Sequence, residues 1–279
     1  MASSVVKILV NTQSWSDQVN SSPELQLLLP EEKSQVKRYY FAKDANMAMA
    51  SMLVKRQVLA TLFCTKPDSV RISIAENGRP YYSKKVSENT DFDFNVSHYG
   101  GMVVFVGIWI SKNSPISTQS PRSIGVDIVE CKSLSDEPNW MDDFEFVFNR
   151  EQWTQVFSSG DRLAAFFLFW ASKEAVLKSL GLGLHGDPAL VELQIPVFQD
   201  FVCGSNIHAL RAGTASYAKS RFQLELQKLN INGSVFFIAI AYPADLEVLE
   251  SDWLEVSSLS TDHLQQKIIE KFNYNTMKF

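Results

Sequence analysis

Three side chains suited to acid–base or metal chemistry, Lys173, Glu174 and Lys178, lie within one largely apolar stretch, residues 166–183. Trp170, Glu174 and Lys178 are four residues apart, so a helix would carry them on one face, with the acid between an aromatic ring and a base. Burying that charge would be costly. The simplest alternative is a Glu–Lys ion pair on the solvated side of an amphipathic helix, and for this string alone that interpretation is the better one.

A second candidate acid interrupts an apolar strand. Residues 124–129 are predicted to form this strand, and a period of two places Asp127 and Val129 on one face, with Val126 and Ile128 on the other. Structural aspartates usually cap helices or occupy turns. An aspartate amid apolar strand residues therefore favours a special role for Asp127.

The composition is that of a globular protein with an ample core. The chain has 279 residues, 46% of them hydrophobic, which is enough for one large domain or two small ones. The longest apolar runs, at 102–110 and 235–242, are too short to span a bilayer and are typical of buried strands. We therefore expect no membrane segment. The first residues lack the features of a signal or transit peptide, so a cytoplasmic location is expected.

The spacing of the cysteines and the distribution of charge further restrict the classes of protein to which the chain can belong. Cys64, Cys131 and Cys203 are odd in number and widely spaced, which predicts reduced structural thiols and argues against a disulfide framework or a zinc knuckle. Residues 1–120 contain 13 basic and 10 acidic residues, a net charge of +3, whereas 121–279 contain 13 and 21, a net charge of −8. The first half is thus suited to receive an anion. Nucleic acid is not expected as a partner, because the chain is acidic overall and has no reader motif.

Periodicity and turn residues predict an α+β protein. The predicted helices are 30–63 with a break near 41–44, 140–148, 150–157 and 161–180, the last closed by Gly181. The predicted strands are 5–10, 70–75, 92–96, 102–110, 124–129, 189–197, 222–227 and 235–242. Gly100-Gly101 predicts a hairpin turn, and His98 just before it is either a structural hydrogen-bond partner or a phosphate contact.

A serine- and proline-rich stretch, 111–123, is the best candidate for a linker between domains. It divides the chain into an N-terminal lobe, 1–120, and a C-terminal lobe, 121–245. The remaining residues, 246–279, begin acidic and are predicted to end in a short helix or tail.

Taken together, these motifs resemble the 4′-phosphopantetheinyl transferases of the large, Sfp-type class. The family signature is GxD followed by WxxKExxxK, which matches Gly125-Val126-Asp127 and the segment from Trp170 to Lys178. Further blocks resemble the first half of the family, most closely the animal enzymes that also serve aminoadipate-semialdehyde metabolism: Pro30-Glu31-Glu32-Lys33, Phe41-Ala42-Lys43-Asp44, Asn77-Gly78-Arg79-Pro80 and Phe94-Asn95-Val96-Ser97-His98.

The resemblance implies transfer of phosphopantetheine from coenzyme A to a serine of acyl, peptidyl or aminoadipate carrier domains. It implies a magnesium ion and release of adenosine 3′,5′-bisphosphate. It also implies a monomer of two similar lobes related by a pseudo-two-fold axis, each an antiparallel sheet with helices. Coenzyme A is then expected in the cleft between the lobes, and the carrier is expected near residues 131–148.

The resemblance also implies roles for individual residues. Asp127 and Glu174 would bind the magnesium ion, and Glu174, Lys178 and Asp127 would form the catalytic group. Coenzyme A would contact these three together with Arg56, Ile74, Ala75, Glu76, Asn77, Gly78, Arg79, Asn95, Val96, Ser97, His98 and Lys173.

Two departures from the family pattern leave alternatives open. Many bacterial members carry a second acid where this chain has Val129, and the adenine-end turn, IAENGR, is less basic than in close relatives. A water ligand in place of the missing acid would preserve activity. The main alternative is a weakly active or inactive relative that binds coenzyme A or carrier proteins. A third interpretation is a structural protein with an incidental helix, and a lack of coenzyme A binding would identify it.

Overall fold

The computed structural model describes residues 3–83, 90–111, 123–137, 139–196, 198–199, 207–249, 251–259 and 261–272. The α-helices that lie wholly within these residues are α1 (Pro23–Gln26), α2 (Pro30–Val36), α3 (Ala42–Leu62), α4 (Arg150–Ser158), α5 (Arg162–Leu180) and α6 (Thr261–Phe272). The described strands are β1 (Val5–Asn11), β2 (Ser73–Ile74), β3 (Pro80–Tyr81), β4 (Thr90–Tyr99), β5 (Met102–Ser111), β6 (Gly125–Glu130), β7 (Glu192–Gln194), β8 (Ile207–Tyr217), β9 (Ser220–Ile231), β10 (Ser234–Pro243) and β11 (Leu254–Val256). The predicted α+β class is confirmed.

The chain divides into two compact units. The first unit comprises Ser3–Ala75, Pro80–Asn113 and Val248–Phe279, and the second comprises Glu76–Arg79 and Ser114–Glu247. Most of the predicted linker, residues 112–122, lies outside the described part of the chain, as does Cys203.

The first unit is a four-stranded sheet covered by helices. Its strand order is β11-β1-β5-β4, with β1 parallel to β11 and antiparallel to β5. Helix α3 is rich in alanine and methionine, and its apolar side chains form one core with Val6, Ile8 and Val10 of β1. Strand β11 and helix α6, which packs on α3, come from the C-terminal segment.

Local signals set the helix ends and the hairpin of this unit. Helix α2 begins at Pro30, and the Glu32 carboxylate accepts a hydrogen bond from the Leu29 amide at 2.8 Å. The predicted helix break falls at residues 37–41. Strands β4 and β5 pair from Tyr99 and Met102 outward, so the predicted hairpin is confirmed.

The second unit is a five-stranded sheet with one long helix on it. The strand order is β6-β10-β9-β8-β7, and every neighbouring pair is antiparallel. Helix α5 packs across β6 and β10. Its aromatic side chains share a core with Phe222, Leu224 and Phe237 of the sheet. This packing fixes one helix face against the strand that carries Asp127.

Several predicted elements differ in length or type. The predicted helix at 140–148 is only a 3₁₀ helix, Trp140–Phe144, and the predicted strand at 70–75 is reduced to β2. The predicted strand at 189–197 is β7, preceded by a 3₁₀ turn at Pro188–Leu190, where the proline favours the turn. Strand β8 was not predicted, because its serine, threonine and glycine residues give no hydrophobic alternation.

Across the described residues, no helix combines the length and hydrophobicity that a membrane crossing requires.

Candidate active site

Helix α5 carries the candidate acid Glu174 and is anchored at both ends. The Asp161 carboxylate accepts a hydrogen bond from the Ala164 amide at 2.9 Å and caps the first turn. Gly181 ends the helix in the left-handed conformation with φ +68°, as predicted. The ring of Phe166 lies 5.0 Å from that of Trp140, which helps to hold the N-terminal half. Contacts at both ends therefore fix the position of the helix and of the Glu174 that it carries.

Strand β6 runs very close to α5, and Gly125 is the residue that permits this approach. A Cβ atom at Gly125 would lie 1.9 Å from the Ala175 carbonyl oxygen and 2.5 Å from the Ser179 amide nitrogen. Two reciprocal hydrogen bonds join the same elements: the Ser123 hydroxyl donates to the Ser179 carbonyl, and the Ser179 hydroxyl donates to the Ser123 carbonyl, both at 2.6 Å. Glycine is thus required here for packing.

Asp127 points from β6 towards α5. It pairs with Ala239 of β10, and Val129, on the same face, lies in the core beneath the helix. The Lys178 ammonium lies 2.5 Å from the Asp127 Oδ1 atom, and the two side chains are 28% and 8% exposed. A buried carboxylate needs such a partner, because an unpaired charge away from water is costly.

Glu174 lies one helical turn before Lys178 and is half-buried. Burial raises the pKa of Glu174, the negative charge of Asp127 raises it further, and the positive charge of Lys178 acts in the opposite direction. Among the described residues, no side chain donates a hydrogen bond to the Glu174 carboxylate. This carboxylate is therefore available to a cation or to a proton.

The structure brings Asp127, Glu174 and Lys178 together at the C-terminal half of α5. Trp170 lies on the same helix face, half-buried, with its ring 5.5 Å from that of Phe144. Two carboxylates can hold a divalent cation, or one can accept a proton while an ammonium offsets phosphate charge. The arrangement is suited to chemistry on an anionic phosphate substrate.

Lys173 does not join this group. It is 1% exposed, and its ammonium donates hydrogen bonds to the carbonyls of Pro188 at 2.6 Å and Val191 at 2.9 Å. It also lies 5.5 Å from the centre of the Phe148 ring. Burial lowers the pKa of Lys173 to about 7, opposed by the nearby Asp187 charge. Lys173 therefore ties α5 to the loop before β7.

The predicted adenine-end turn is mostly exposed. Ile74, Glu76, Asn77 and Gly78 are exposed, and Ala75 is half-buried. Arg79 differs from them. It is half-buried, and its guanidinium donates hydrogen bonds to two main-chain carbonyls of the second unit.

The predicted coenzyme A contacts on β4 lie in the first unit. Asn95 and Ser97 are buried, Val96 is half-buried and His98 is exposed. These residues end the strand next to its glycine turn, as the sequence predicted.

Arg56 is not on the surface of the first unit. It is 2% exposed, its guanidinium lies 2.7 Å from the Glu32 carboxylate, and it also donates to the Leu27 carbonyl. These contacts tie α3 to α2, and they leave little of the guanidinium for a ligand.

Comparison with known proteins identifies the family. A family model described as 4′-phosphopantetheinyl transferase, N-terminal, matches residues 13–109, and one described as the 4′-phosphopantetheinyl transferase superfamily matches residues 123–228. The chain is 38% identical over 260 residues, 93% of its length, to the whole (100%) of the L-aminoadipate-semialdehyde dehydrogenase-phosphopantetheinyl transferase of Schizosaccharomyces pombe. The chain belongs to the 4′-phosphopantetheinyl transferase family. It is a transferase of this type.

Animal phosphopantetheinyl transferases are more distant. The Xenopus laevis protein of the same name is 29% identical over 176 residues, 60% of this chain and 53% of that protein. The Mus musculus protein is 26% identical over 172 residues, 60% of this chain and 52% of that protein. The predicted family is confirmed.

The donor atoms of the transferase fit the magnesium ion that the family implies. Asp127 and Glu174 supply two carboxylates, and the described residues contain no group of three or more His, Cys, Asp or Glu side chains that would form a full protein cage. Val129 is buried, and Glu130 accepts a hydrogen bond from Ser234 at 2.8 Å and pairs with Lys132 at 2.9 Å. Magnesium suits such a set, because it takes one or two carboxylates and keeps water and phosphate oxygens.

Several residues that hold this transferase site together could not be identified from the sequence. Ser123 and Ser179 were not singled out, although each lies close to a signature residue. Gln152 was also missed: it is buried and donates a hydrogen bond to the Val191 carbonyl at 3.0 Å, the same oxygen that Lys173 binds. A serine or glutamine gives no sequence signal of its partner. Lys173 was predicted to contact coenzyme A, although as the direct neighbour of Glu174 it lies on a different face of the helix.

Proposed function

We propose that this transferase moves 4′-phosphopantetheine from coenzyme A to a serine of an acyl, peptidyl or aminoadipate carrier domain, with magnesium, and releases adenosine 3′,5′-bisphosphate. The observation that carries the proposal is the meeting of Asp127, Glu174 and Lys178 between β6 and α5 in a chain of this family. These groups match what a pyrophosphate substrate requires, because its crowded negative charge repels a nucleophile.

In the proposed reaction, the carrier serine oxygen attacks the phosphorus atom that bears the pantetheine arm. A phosphorus–oxygen bond to serine forms, and the bond from this phosphorus to the bridging oxygen of the pyrophosphate breaks. The bridging oxygen leaves with adenosine 3′,5′-bisphosphate. Glu174 accepts the serine proton, directly or through a water.

Lys178 and Asp127 then have complementary roles. The Lys178 ammonium, bonded to Asp127 at 2.5 Å, is positioned to offset charge on the phosphates. Asp127 and Glu174 would hold the magnesium ion, which supplies charge neutralisation of the pyrophosphate when bound. The remaining metal ligands would be waters and phosphate oxygens.

Coenzyme A contacts are proposed in two further places. The turn residues Ile74 to Gly78, exposed except for half-buried Ala75, would contact the adenine end. His98, exposed at the end of β4 near Asn95 and Ser97, would contact the phosphates. The contacts of Lys173 and Arg56 with main-chain carbonyls and with Glu32 do not support ligand binding by either residue.

A carrier-docking surface is proposed at residues 131–148 of the second unit. Phe146 and Leu134 are 64% and 44% exposed there, beside the exposed acids Asp142 and Asp143. Exposed aromatic side chains are typical of recognition surfaces. Phe146→Ser should raise the KM for the carrier and leave the KM for coenzyme A unchanged, whereas Phe157→Ser, which removes an exposed ring elsewhere in this unit, should change neither.

We propose that the two units share one architecture, since each combines a mainly antiparallel sheet with one long helix packed on it. A cytoplasmic monomer is expected.

The decisive experiment incubates the full chain with magnesium, coenzyme A and an apo carrier domain and detects phosphopantetheine on the carrier by mass spectrometry. The proposed function predicts addition to the carrier serine, which removal of magnesium with a chelator prevents. Binding of coenzyme A without addition to any carrier of an apo panel would favour the non-catalytic alternative instead.

Matched variants test the site. Asp127→Ala and Glu174→Gln should each abolish transfer and preserve the far-ultraviolet circular dichroism spectrum. Asp245→Ala and Glu151→Gln remove exposed acids of the same unit by the same substitutions and should keep full turnover. Near-wild-type turnover by either site variant would refute the assignment.

A further inference from the structure

The side chain of Arg79 bridges α5 and β6. One guanidinium nitrogen donates to the Lys178 carbonyl oxygen at 2.5 Å and another donates to the Ile124 carbonyl oxygen at 2.6 Å. Lys178 lies in the last turn of the helix, and Ile124 is the residue before the strand. A single planar cation therefore binds the main chain of both elements that carry the proposed catalytic group.

The chemistry of these contacts favours a cation at this place. The Lys178 carbonyl accepts a hydrogen bond from the Gly181 amide at 3.1 Å, and as one of the last carbonyls of the helix it carries part of the negative end of the helix dipole. A guanidinium presents several donors in a rigid fork, so it can satisfy two carbonyls at once. The reciprocal hydrogen bonds of Ser123 and Ser179 join the same two elements, but they are neutral. Arg79 adds the charged contact.

The turn that carries Arg79 is fitted to the end of the helix. The Asn77 side chain accepts a hydrogen bond from the Arg79 amide at 3.1 Å, which holds the turn in shape. A Cβ atom at Gly181 would lie 2.1 Å from the Asn77 Nδ2 atom, so the turn touches the helix end closely. Residues 76–79 accordingly group with the second unit.

We propose that Arg79 is a positioning residue of the transfer reaction: its guanidinium holds α5 and β6 in register, so that Lys178 and Asp127 meet, and does not bind coenzyme A phosphate. The inference rests on the proposed function and reassigns one residue within it.

The test separates positioning from ligand contact. Arg79→Ala and Arg79→Lys are made in the full chain, and kcat and the KM for coenzyme A are measured together with the Kd for adenosine 3′,5′-bisphosphate by calorimetry. Arg79→Ala should lower kcat roughly ten- to a hundredfold, since a displacement of about 1 Å can cost that much, while KM and Kd stay within about twofold. Arg79→Lys keeps the charge but not the fork, so its kcat should lie in between.

The control is Arg71→Ala. Arg71 is exposed, and its guanidinium donates to the nearby carbonyls of Asp68 at 2.5 Å and Val70 at 3.2 Å. This variant loses the same charge without touching α5, and its kinetics should match those of the wild type.

Each other outcome has a distinct meaning. A rise in KM and Kd with kcat unchanged would show that Arg79 contacts the ligand, and the inference would be overturned. A lower urea midpoint with unchanged kcat and KM would show a merely structural role, and would overturn it as well. If Arg79→Ala does not fold, the kinetics of Arg79→Lys decide between these outcomes. Failure of the wild type itself to modify any carrier would refute the proposed function instead.

Discussion

Replacing Gly125 by alanine should separate β6 from α5. The added Cβ would lie 1.9 Å from the Ala175 carbonyl oxygen and 2.5 Å from the Ser179 amide nitrogen. Both contacted atoms belong to the main chain of a buried helix, so neither can rotate away. The two elements must therefore move apart by about 1 Å before the contact approaches a normal distance.

The loss of stability caused by Gly125→Ala follows from this displacement. Overpacking of a rigid core costs about 1–3 kcal/mol, and the main-chain contacts at Gly125 place it near the upper value. The same movement breaks the reciprocal hydrogen bonds of Ser123 and Ser179, each contributing about 1 kcal/mol. We expect Gly125→Ala to lower the free energy of unfolding by about 3–5 kcal/mol, a large part of the roughly 5–15 kcal/mol that stabilises an ordinary protein.

Urea unfolding measures this loss. With a slope of about 1–3 kcal/mol per molar urea, the midpoint should fall by at least about 1 M. Gly160→Ala is the matched control: a Cβ there meets no atom within 4 Å, and its stability should change by no more than about 0.5 kcal/mol. Equal midpoints for the two variants would refute the inference that the glycine of the GxD motif serves close packing.

Three further predictions concern residues around the site and in the core. Because two loop carbonyls bind the Lys173 ammonium, Lys173→Met should leave the calorimetric Kd for coenzyme A within about twofold of wild type, and a much weaker Kd would contradict the observed placement. Burial raises the pKa of the Cys131 thiol to about 12, so iodoacetamide at mildly alkaline pH should alkylate exposed Cys64 roughly a hundredfold faster, as measured by peptide mass mapping; equal rates would contradict this. Burial also raises the pKa of Tyr242, whose hydroxyl donates a hydrogen bond to Glu225 at 2.8 Å. The stability that this shift contributes is fully present below the unfolded pKa of about 10 and is lost as the pH rises through the folded pKa. The fall of the urea midpoint at alkaline pH should therefore be smaller in Tyr242→Phe than in the wild type.

Much of the second unit could be predicted because its signals are local. The long apolar helix, its glycine cap and the strand with an embedded aspartate depend on periodicity and on a single residue with a distinctive conformation. Asp127 was singled out because a charge in an apolar strand is rare, and the structure places it against Lys178. By contrast, the pairing of β11 with β1 joins residues that are far apart in the chain, and three residues carry too little pattern to reveal it.

The two basic residues Lys173 and Arg79 show why a signature cannot assign each of its side chains. Both match family positions beside phosphate-binding residues, yet the ammonium and the guanidinium each end on main-chain carbonyls. A sequence shows that a cation is present, but its partner depends on which main-chain carbonyls the fold brings within its reach, and here these lie at a loop and at a helix end. Since Lys173 is one residue from Glu174, it is turned about 100° from that carboxylate around the helix axis. Periodicity therefore places Lys173 and Lys178 on different faces of the helix, but only the fold shows that Lys173 contacts the loop.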